Sequence, residues 1–214
     1  MSGLSPDLLF NSKTSLRGCA ESWRACAASP WVLNTISVGY TLQFARPPPR
    51  FRGVVQSVVP QGQTHFLQQE IDALLQKGAI QNVPLEEENK GFYSRYFLVP
   101  KKDGGYRPIL DLRKLNKALV KRKFRMLTSR QLVQSIKPRD WLVTIDLKDA
   151  YFHIPIYPRH QRFLRFAFGG KAYKFCALPF GLALAPRVFT KCVEAAIAPL
   201  GNRGSGYSIT WTTS

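Results

Sequence analysis

Apolar residues at helical spacing indicate two helices. QTHFLQQEIDALLQKGAIQNV, residues 63–83, predicts one helix from such a stripe. Thr64 is placed to cap its start, and Gly78 suits the position just past its end. APRVFTKCVEAAIAPL, residues 185–200, predicts a second helix, because Pro186 is favourable in a first turn. The apolar positions of the first stripe are Phe66, Leu67, Ile71, Leu74 and Leu75, and those of the second are Val188, Phe189, Cys192, Val193 and Ile197.

Alternation with a period of two indicates strands elsewhere. YFLV and RPILDL flank a DGG turn, and RFLRFAF and KAYKFCAL flank a GG turn, so each pair predicts a β-hairpin. WLVTIDLKDAYFHIPI, residues 141–156, predicts a strand that carries Asp146 among alternating apolar residues. Strands interspersed with helices and joined by hairpins favour an α+β fold with antiparallel sheet.

The segments outside these elements suggest three domain-level regions. Residues 1–50 have weak periodicity and close on ARPPPRFRG, so we expect a poorly ordered N-terminal extension, in which SPWVLNTISVGYTLQF packs against the domain. Residues 51–200 hold the patterned elements, and residues 201–214 have a separate, aberrant character. PLEEENKG is predicted to be a loop, and its glutamates fit a solvated run better than a metal site.

Composition adds a strong constraint on partners. The 214 residues are 45% hydrophobic and carry a net charge of +18, with a pI near 10.2. Such a field attracts polyanions, which are nucleic acid or an anionic membrane. No apolar run reaches the roughly 20 residues of a membrane span, so nucleic acid is favoured and no membrane role is expected.

The cysteines and histidines argue against a zinc site. The four cysteines form no paired CxxC signature, and the three histidines are scattered along the chain. Reduced cysteines in an intracellular protein are therefore the expectation, with cytoplasm and nucleus both open. The first residues, MSGLSPDLLFNSK, lack the charged start and long apolar stretch of a signal peptide.

Four segments together fit the chemistry of nucleotidyl transfer. That reaction requires cations to grip a triphosphate and carboxylate oxygens to bind Mg²⁺. VPKKDGGYRPILDLRKLNK, VTIDLKDAYFHIPI, FAFGGKAYKFCALPFGLALAP and RVFTKCVEAAIAPL resemble, in this order, the fingers and palm of retroelement reverse transcriptases. These motif sequences are most similar to those of DIRS-like retrotransposon polymerases. The resemblance covers about Phe51 to Leu200.

This resemblance implies a role for each matching residue. Asp146 would be the first metal-binding and catalytic aspartate of the palm, with Mg²⁺ as the cofactor. Tyr151 would be the aromatic gate that favours deoxynucleotides by occupying the space of a ribose 2′-hydroxyl. The implied partners are an RNA or DNA template–primer and deoxynucleoside triphosphates. The implied nucleotide-binding residues are Lys101, Arg107, Asp149, Ala150, Tyr151, Phe180 and Gly181.

Each position also has a plainer interpretation. Asp146 could be a solvated strand residue, Asp149 a turn cap and Tyr151 part of the core. Arg107 could contact phosphates without any nucleotide specificity. A ribosomal-type RNA-binding protein would explain the charge, but it would not explain the strand with Asp146 or the segment LPFGLALAP.

The resemblance has a gap at the second carboxylate motif, Y-x-D-D, which the family carries on a hairpin after the last helix. No aspartate follows Asp149, and Glu194 lies within the predicted helix. One carboxylate cannot hold two Mg²⁺ ions in reacting geometry. We therefore expect a truncated reverse transcriptase that is inactive alone. The alternative is a non-catalytic, basic nucleic-acid-binding remnant or domesticated protein.

A shifted reading frame would supply the missing motif. When the last base of one codon is read with the first two of the next, the Trp211–Thr212 junction must spell GAC, an aspartate codon, because Trp has the single codon TGG. Codon degeneracy permits Asp-Tyr-Leu-Asp-Asp across SITWTT, residues 208–213. The hypothesis is a frameshift or gene-model error near Leu200 to Arg203.

Overall fold

The computed structural model describes residues 20–26, 28–102, 104–124, 134, 142–201 and 208–213. The first half of this part contains four α-helices and three strands, and the second half contains a long α-helix and four strands. The helices are α1 (Ala20–Ala25), α2 (Pro30–Ser37), α3 (Thr64–Gln76), α4 (Arg113–Ala118) and α5 (Ala185–Gly201). The strands are β1 (Ile80–Asn82), β2 (Tyr96–Pro100), β3 (Tyr106–Leu110), β4 (Leu142–Leu147), β5 (Arg165–Phe168), β6 (Lys171–Phe175) and β7 (Ser208–Thr213).

Both predicted hairpins are confirmed. Strands β2 and β3 pair antiparallel, and so do β5 and β6. Gly169 and Gly170 join β5 to β6 with φ values of 57° and 76°, which a two-residue turn of the hairpin type requires. Strand β1 adds to the free edge of β6, so that this sheet has the order β1-β6-β5.

The third pairing departs from the predicted antiparallel arrangement. Strand β7 runs parallel to β4, with Asp146 in register with Thr212. A tight hairpin forces antiparallel pairing, but these two strands are separated in sequence by β5, β6 and α5. The α+β class therefore holds, with two antiparallel sheets and one parallel pair among the described residues.

The first predicted helix is confirmed, with a correction at its start. Thr64 is the first residue of α3 rather than its cap, because Gln63 occupies the capping position and no side chain caps the helix. Gly78 has a φ of 67°, as expected of a residue just past a helix end. Leu67, Ile71 and Leu74 form its buried face, and Phe66 is partly exposed.

Two segments for which the sequence predicted no regular secondary structure contain helices. Helix α2 lies within SPWVLNTISVGYTLQF and buries Val32 and Ile36, so this segment packs against the core as expected. Residues 1–19 lie outside the described part. PLEEENKG, predicted to be a loop, contains a 3₁₀ helix over Leu85–Lys90. Buried Arg165 donates a hydrogen bond of 2.6 Å to the carbonyl oxygen of Glu87, which attaches this helix to β5.

The core lies against the β1-β6-β5 sheet. All four residues of β5 are buried, and Phe166 stacks on Tyr173 of β6 with ring centroids 5.1 Å apart. Helices α3 and α5 contribute their apolar faces to the same cluster. Since β4 leads directly into the buried residues Ala150 and Ile154, this core supports the turn that follows β4.

Candidate functional site

Asp146 lies on β4 one residue before the strand ends, and its backbone position is set by pairing with β7. A carboxylate at the end of a strand is held more rigidly than one on a loop. Among the described residues, no group of three or more His, Cys, Asp or Glu side chains could hold a metal ion.

Asp149 has an unusual backbone conformation just beyond β4. Its φ is 55°, and it is the one residue other than glycine in the described part of the chain with a positive φ. Aspartate tolerates this left-handed region better than most residues. Its carbonyl oxygen accepts the N–H of Phe152 at 2.8 Å, which begins the 3₁₀ helix over Ala150–His153.

A salt bridge fixes the Asp149 side chain. Lys77 Nζ lies 2.8 Å from Asp149 Oδ1, and their side chains are 42% and 30% exposed. Nearby on α3, burial raises the pKa of Glu70, while the charge of Lys77 opposes this shift. Asp149 raises and Lys101 lowers the same pKa, so the charges of Lys77, Lys101 and Asp149 all act on Glu70.

Four aromatic rings meet beside this turn and form what we call the aromatic cluster. Tyr151 lies 4.8 Å from Phe180 and 5.5 Å from Phe189 between ring centroids, and Phe152 lies 5.6 Å from Phe180. Burial raises the pKa of Tyr151 above its ordinary value. Phe180 is 45% exposed, whereas Phe189 is buried, so the cluster has one open end.

The loop that carries Phe180 is held by a hydrogen-bonded side chain. Asn116 of α4 donates from Nδ2 to the carbonyl oxygen of Gly181, and its Oδ1 accepts the N–H of Ala183, both at 2.9 Å. Gly181 has a φ of 90°, and an added Cβ would lie 3.3 Å from the carbonyl oxygen of Leu110. Glycine is therefore strongly favoured at this position.

A cleft of about 650 Å³ opens beside Asn116, and we call it the basic groove. Its lining carries five cationic side chains and one carboxylate. Arg113 binds that carboxylate, Asp111, through two side-chain hydrogen bonds of 2.8 Å and lowers its pKa to about 2. The cationic residues are Arg113, Lys114, Lys117, Lys121 and Arg122.

The hairpin of β2 and β3 carries the other two predicted cations. Lys101 donates its backbone N–H to the carbonyl oxygen of Gly105 across the turn, and Arg107 lies opposite Val99. Both side chains are exposed. The structure thus brings Tyr151 and Phe180 into contact and leaves Arg107 at the surface of the hairpin. Lys101 and Asp149 act with opposite sign on the pKa of Glu70.

Comparison with known proteins decides the family. The model of the reverse transcriptase (RNA-dependent DNA polymerase) family matches residues 99–210, more than half of the chain. This chain belongs to the reverse transcriptase family.

Sequence relatives of this reverse transcriptase chain are retroelement polyproteins. It is 28% identical over 153 residues to the retrovirus-related Pol polyprotein from transposon 297 of Drosophila melanogaster, covering 67% of this chain and 14% of that protein. It is 30% identical over 132 residues to the Pro-Pol polyprotein of simian foamy virus type 1, covering 62% of this chain and 11% of that protein. This reverse transcriptase chain therefore spans a small part of the length of these relatives.

A solved structure shares the fold. The crystal structure of the prototype foamy virus protease–reverse transcriptase matches with a TM-score of 0.57 and 19% identity, over 94% of this chain and 28% of that one. The mixed arrangement of helices and antiparallel sheet is therefore common to both. No helix in the described part of this reverse transcriptase chain is long and apolar enough to span a membrane.

Sequence reasoning missed Asn116 and Lys77. Asn116 is separated by 65 residues from Gly181, and Lys77 by 72 residues from Asp149. Asn116 lies within α4 and Lys77 directly follows the end of α3. Polar residues are common at both kinds of position, so the local pattern contained no signal for either contact.

Proposed function

We propose that this chain is a piece of a reverse transcriptase domain that binds a template–primer and a deoxynucleoside triphosphate but does not polymerise with these 214 residues alone. The observation that carries the proposal is the basic groove beside the aromatic cluster. Five cations line one cleft, and their single carboxylate neighbour is already paired with Arg113. Such a cleft binds phosphates and releases their counterions.

The nucleotide site of this proposal lies where the turn after β4 meets the loop of Phe180. Lys101 and Arg107 bind the triphosphate, and the backbone of Asp149 and Ala150 lines its pocket. Tyr151 faces the sugar, while Phe180 and Gly181 contact the nucleotide and the template base. The contact between Tyr151 and Phe180, at 4.8 Å, supports a single site that contains both rings.

The metal part of the site does not fit two Mg²⁺ ions. Asp146 provides one carboxylate, a ligand type that Mg²⁺ prefers. The neighbouring strand β7 has the sequence SITWTT and contributes no carboxylate. When bound in the family's enzymes, two Mg²⁺ ions support the addition of deoxynucleotides to a primer 3′-hydroxyl. This chain has one of the two carboxylate motifs that bind those two ions, so we expect no polymerisation.

A frameshift is the proposed cause of the incomplete site. The backbone of Thr212 pairs in register with that of Asp146. In the shifted frame, the two adjacent aspartate codons fall at Trp211–Thr212 and Thr212–Thr213, level with Asp146. This register supports the hypothesis that β7 has the position of a strand that once carried Y-x-D-D. The coding DNA tests the idea, because the required codons are either present or absent.

The finer assignments belong to the same proposal. Residues 51–200 form fingers and a partial palm, residues 1–50 an N-terminal extension, and residues 201–214 an out-of-frame tail. The sequences of the motifs support a DIRS-like parent element. Coding DNA beyond residue 214 would reveal which further domains that element encoded.

Primer extension and nucleic-acid binding test the function together. With Mg²⁺ and deoxynucleoside triphosphates, we expect salt-sensitive binding of a primed RNA template and no incorporation. A second protein, translated in the shifted frame from about residue 200 onward, should incorporate nucleotides and lose this activity with Asp146→Asn. Binding without any salt dependence would overturn the assignment of the basic groove. Incorporation by the original chain would show that Asp146 does not need the second carboxylates.

A further inference from the structure

Asn116 joins two regions to which the proposed function gives different ligands. It lies on α4 between Arg113 and Lys117, and all three residues line the basic groove. Its amide is also hydrogen-bonded to the loop of residues 181–183, which follows Phe180 directly. One side chain therefore contacts both the wall of the groove and the loop of the aromatic cluster.

The chemistry of this contact requires an amide. The carbonyl oxygen of Gly181 accepts a hydrogen bond from the amide, and the N–H of Ala183 donates one to it. A carboxylate supplies only the acceptor, and an apolar side chain supplies neither. Asparagine satisfies both groups from one rigid plane.

The contact controls a short and conformationally restricted loop. Gly181 adopts its left-handed φ of 90° next to the carbonyl oxygen of Leu110. Phe180 directly precedes it and reaches Tyr151 and Phe152. A change in the orientation of the Asn116 amide removes the hydrogen bond to the backbone of Gly181, the residue that directly follows Phe180.

We propose that Asn116 is a positioning residue that couples occupation of the basic groove by nucleic acid to the position of Phe180. Both of its hydrogen bonds lie at the surface, where water competes with them and where small movements of α4 alter their geometry. Phosphates that bind Arg113 and Lys117 act on the helix that carries Asn116. This inference rests on the proposed function, because it takes nucleic acid as the ligand of the groove.

Fluorine NMR of position 180 measures the coupling without any need for polymerisation. Phe180 is replaced by 4-fluorophenylalanine, whose resonance reports the nearby ring of Tyr151. We expect a primed RNA–DNA hybrid to shift this resonance in the otherwise unchanged chain. With Asn116→Leu, the resonance should move toward its position in the unfolded chain and no longer respond to the hybrid.

Two further variants separate positioning from general stability and from charge. Asn116→Asp keeps the acceptor for Ala183 and loses the donor to Gly181, so an intermediate resonance is expected. Lys114→Gln removes a groove cation that lies outside this contact, so the affinity should fall while the resonance of the free protein stays unchanged.

The outcomes distinguish this inference from the proposed function. If the unchanged chain does not bind the hybrid, the proposed function fails, and the coupling fails with it. If the hybrid binds but the resonance of position 180 does not move, the coupling alone is wrong. It is also wrong if the Leu and Asp variants retain the original resonance and its response, whatever happens to their melting temperatures.

Discussion

The aromatic cluster and the basic groove are joined by Asn116, and they differ in what holds them together. The cluster is built from ring contacts, with Phe189 4% exposed and packed against Tyr151. The groove is built from like charges at the surface, and only Asp111 offsets them. One region contributes to stability by burial, and the other concentrates charge that does not help the chain to fold.

This difference predicts two kinds of sensitivity. Removal of buried aromatic surface destabilises a protein in any salt, because the hydrophobic effect does not depend on charge. Removal of exposed cations leaves stability nearly unchanged but weakens the attraction of a polyanion, and the loss depends on ionic strength. Substitutions in the two regions should therefore affect separate measurements.

The largest effect is expected in the aromatic cluster. Phe189→Ala should lower the free energy of unfolding by about 3–5 kcal/mol, because it leaves a cavity beside Tyr151. Phe180→Ala is the matched control within the same cluster. Phe180 is 45% exposed, so its loss should be about 1 kcal/mol. Urea denaturation measures both, and equal losses would contradict the distinction between the closed and open ends of the cluster.

The second effect concerns the groove. Replacement of Lys114, Lys117 and Lys121 by Gln should lower the affinity for a primed RNA–DNA hybrid about 100-fold, or ~2.7 kcal/mol, at about 0.1 M salt. The slope of log affinity against log salt should become shallower by about 3. Fluorescence anisotropy over a salt series provides both values.

A control with the same change of net charge makes this test specific. Lys90, Lys171 and Lys174 do not line the groove, and their replacement by Gln should lower the affinity much less. If both triple variants lose affinity equally, nucleic acid responds to the overall charge of +18 rather than to the groove.

The third effect lies in the loop between the two regions. Gly181→Ala should destabilise the protein by about 1–2 kcal/mol, because alanine is strained at a φ of 90° and its Cβ would press on the carbonyl oxygen of Leu110. Gly62→Ala is the control, since open space surrounds that position and its φ is not positive. Thermal unfolding compares them, and a neutral Gly181→Ala would show that the loop is free to adapt.

Most of the fold could be predicted because its signals are local. The GG turn, the DGG turn and the apolar stripe of α3 each specify structure within about 20 residues, through turn geometry or helical periodicity. The strand of Asp146 and the helix that begins at Ala185 were predictable in the same way. The family resemblance assigned Tyr151 and Phe180 to nucleotide binding, but no local pattern predicted that their rings meet.

The remaining features depend on contacts between distant segments. The parallel pairing of β4 with β7 joins residues more than 60 positions apart, and alternation in SITWTT says nothing about its partner. The orientation of the Asn116 amide and the salt bridge of Lys77 are likewise set by tertiary packing. The 3₁₀ helix at Leu85–Lys90 depends on Arg165, whose buried position in β5 no local rule predicts.

The smallest effect concerns the one carboxylate of the basic groove. Asp111→Asn should raise the affinity for the RNA–DNA hybrid about two- to threefold, because it removes the negative charge that offsets Arg113. It should also cause a small loss of stability. The Asn side chain can still accept the backbone N–H of Arg113, but it loses the charged hydrogen bonds of 2.8 Å.

The pH dependence of this stability loss identifies its cause. The pKa of Asp111 is lowered to about 2 in the folded protein, from an ordinary value near 3.8. An acid whose pKa falls on folding stabilises the protein above the unfolded value, and this contribution disappears as the pH falls through the folded value. The difference in unfolding free energy between the original chain and Asp111→Asn should therefore be constant from pH 7 to about 5 and shrink toward pH 2. A difference that stays constant down to pH 2 would mean that the amide lowers stability by changing the packing and not by removing the carboxylate charge of Asp111.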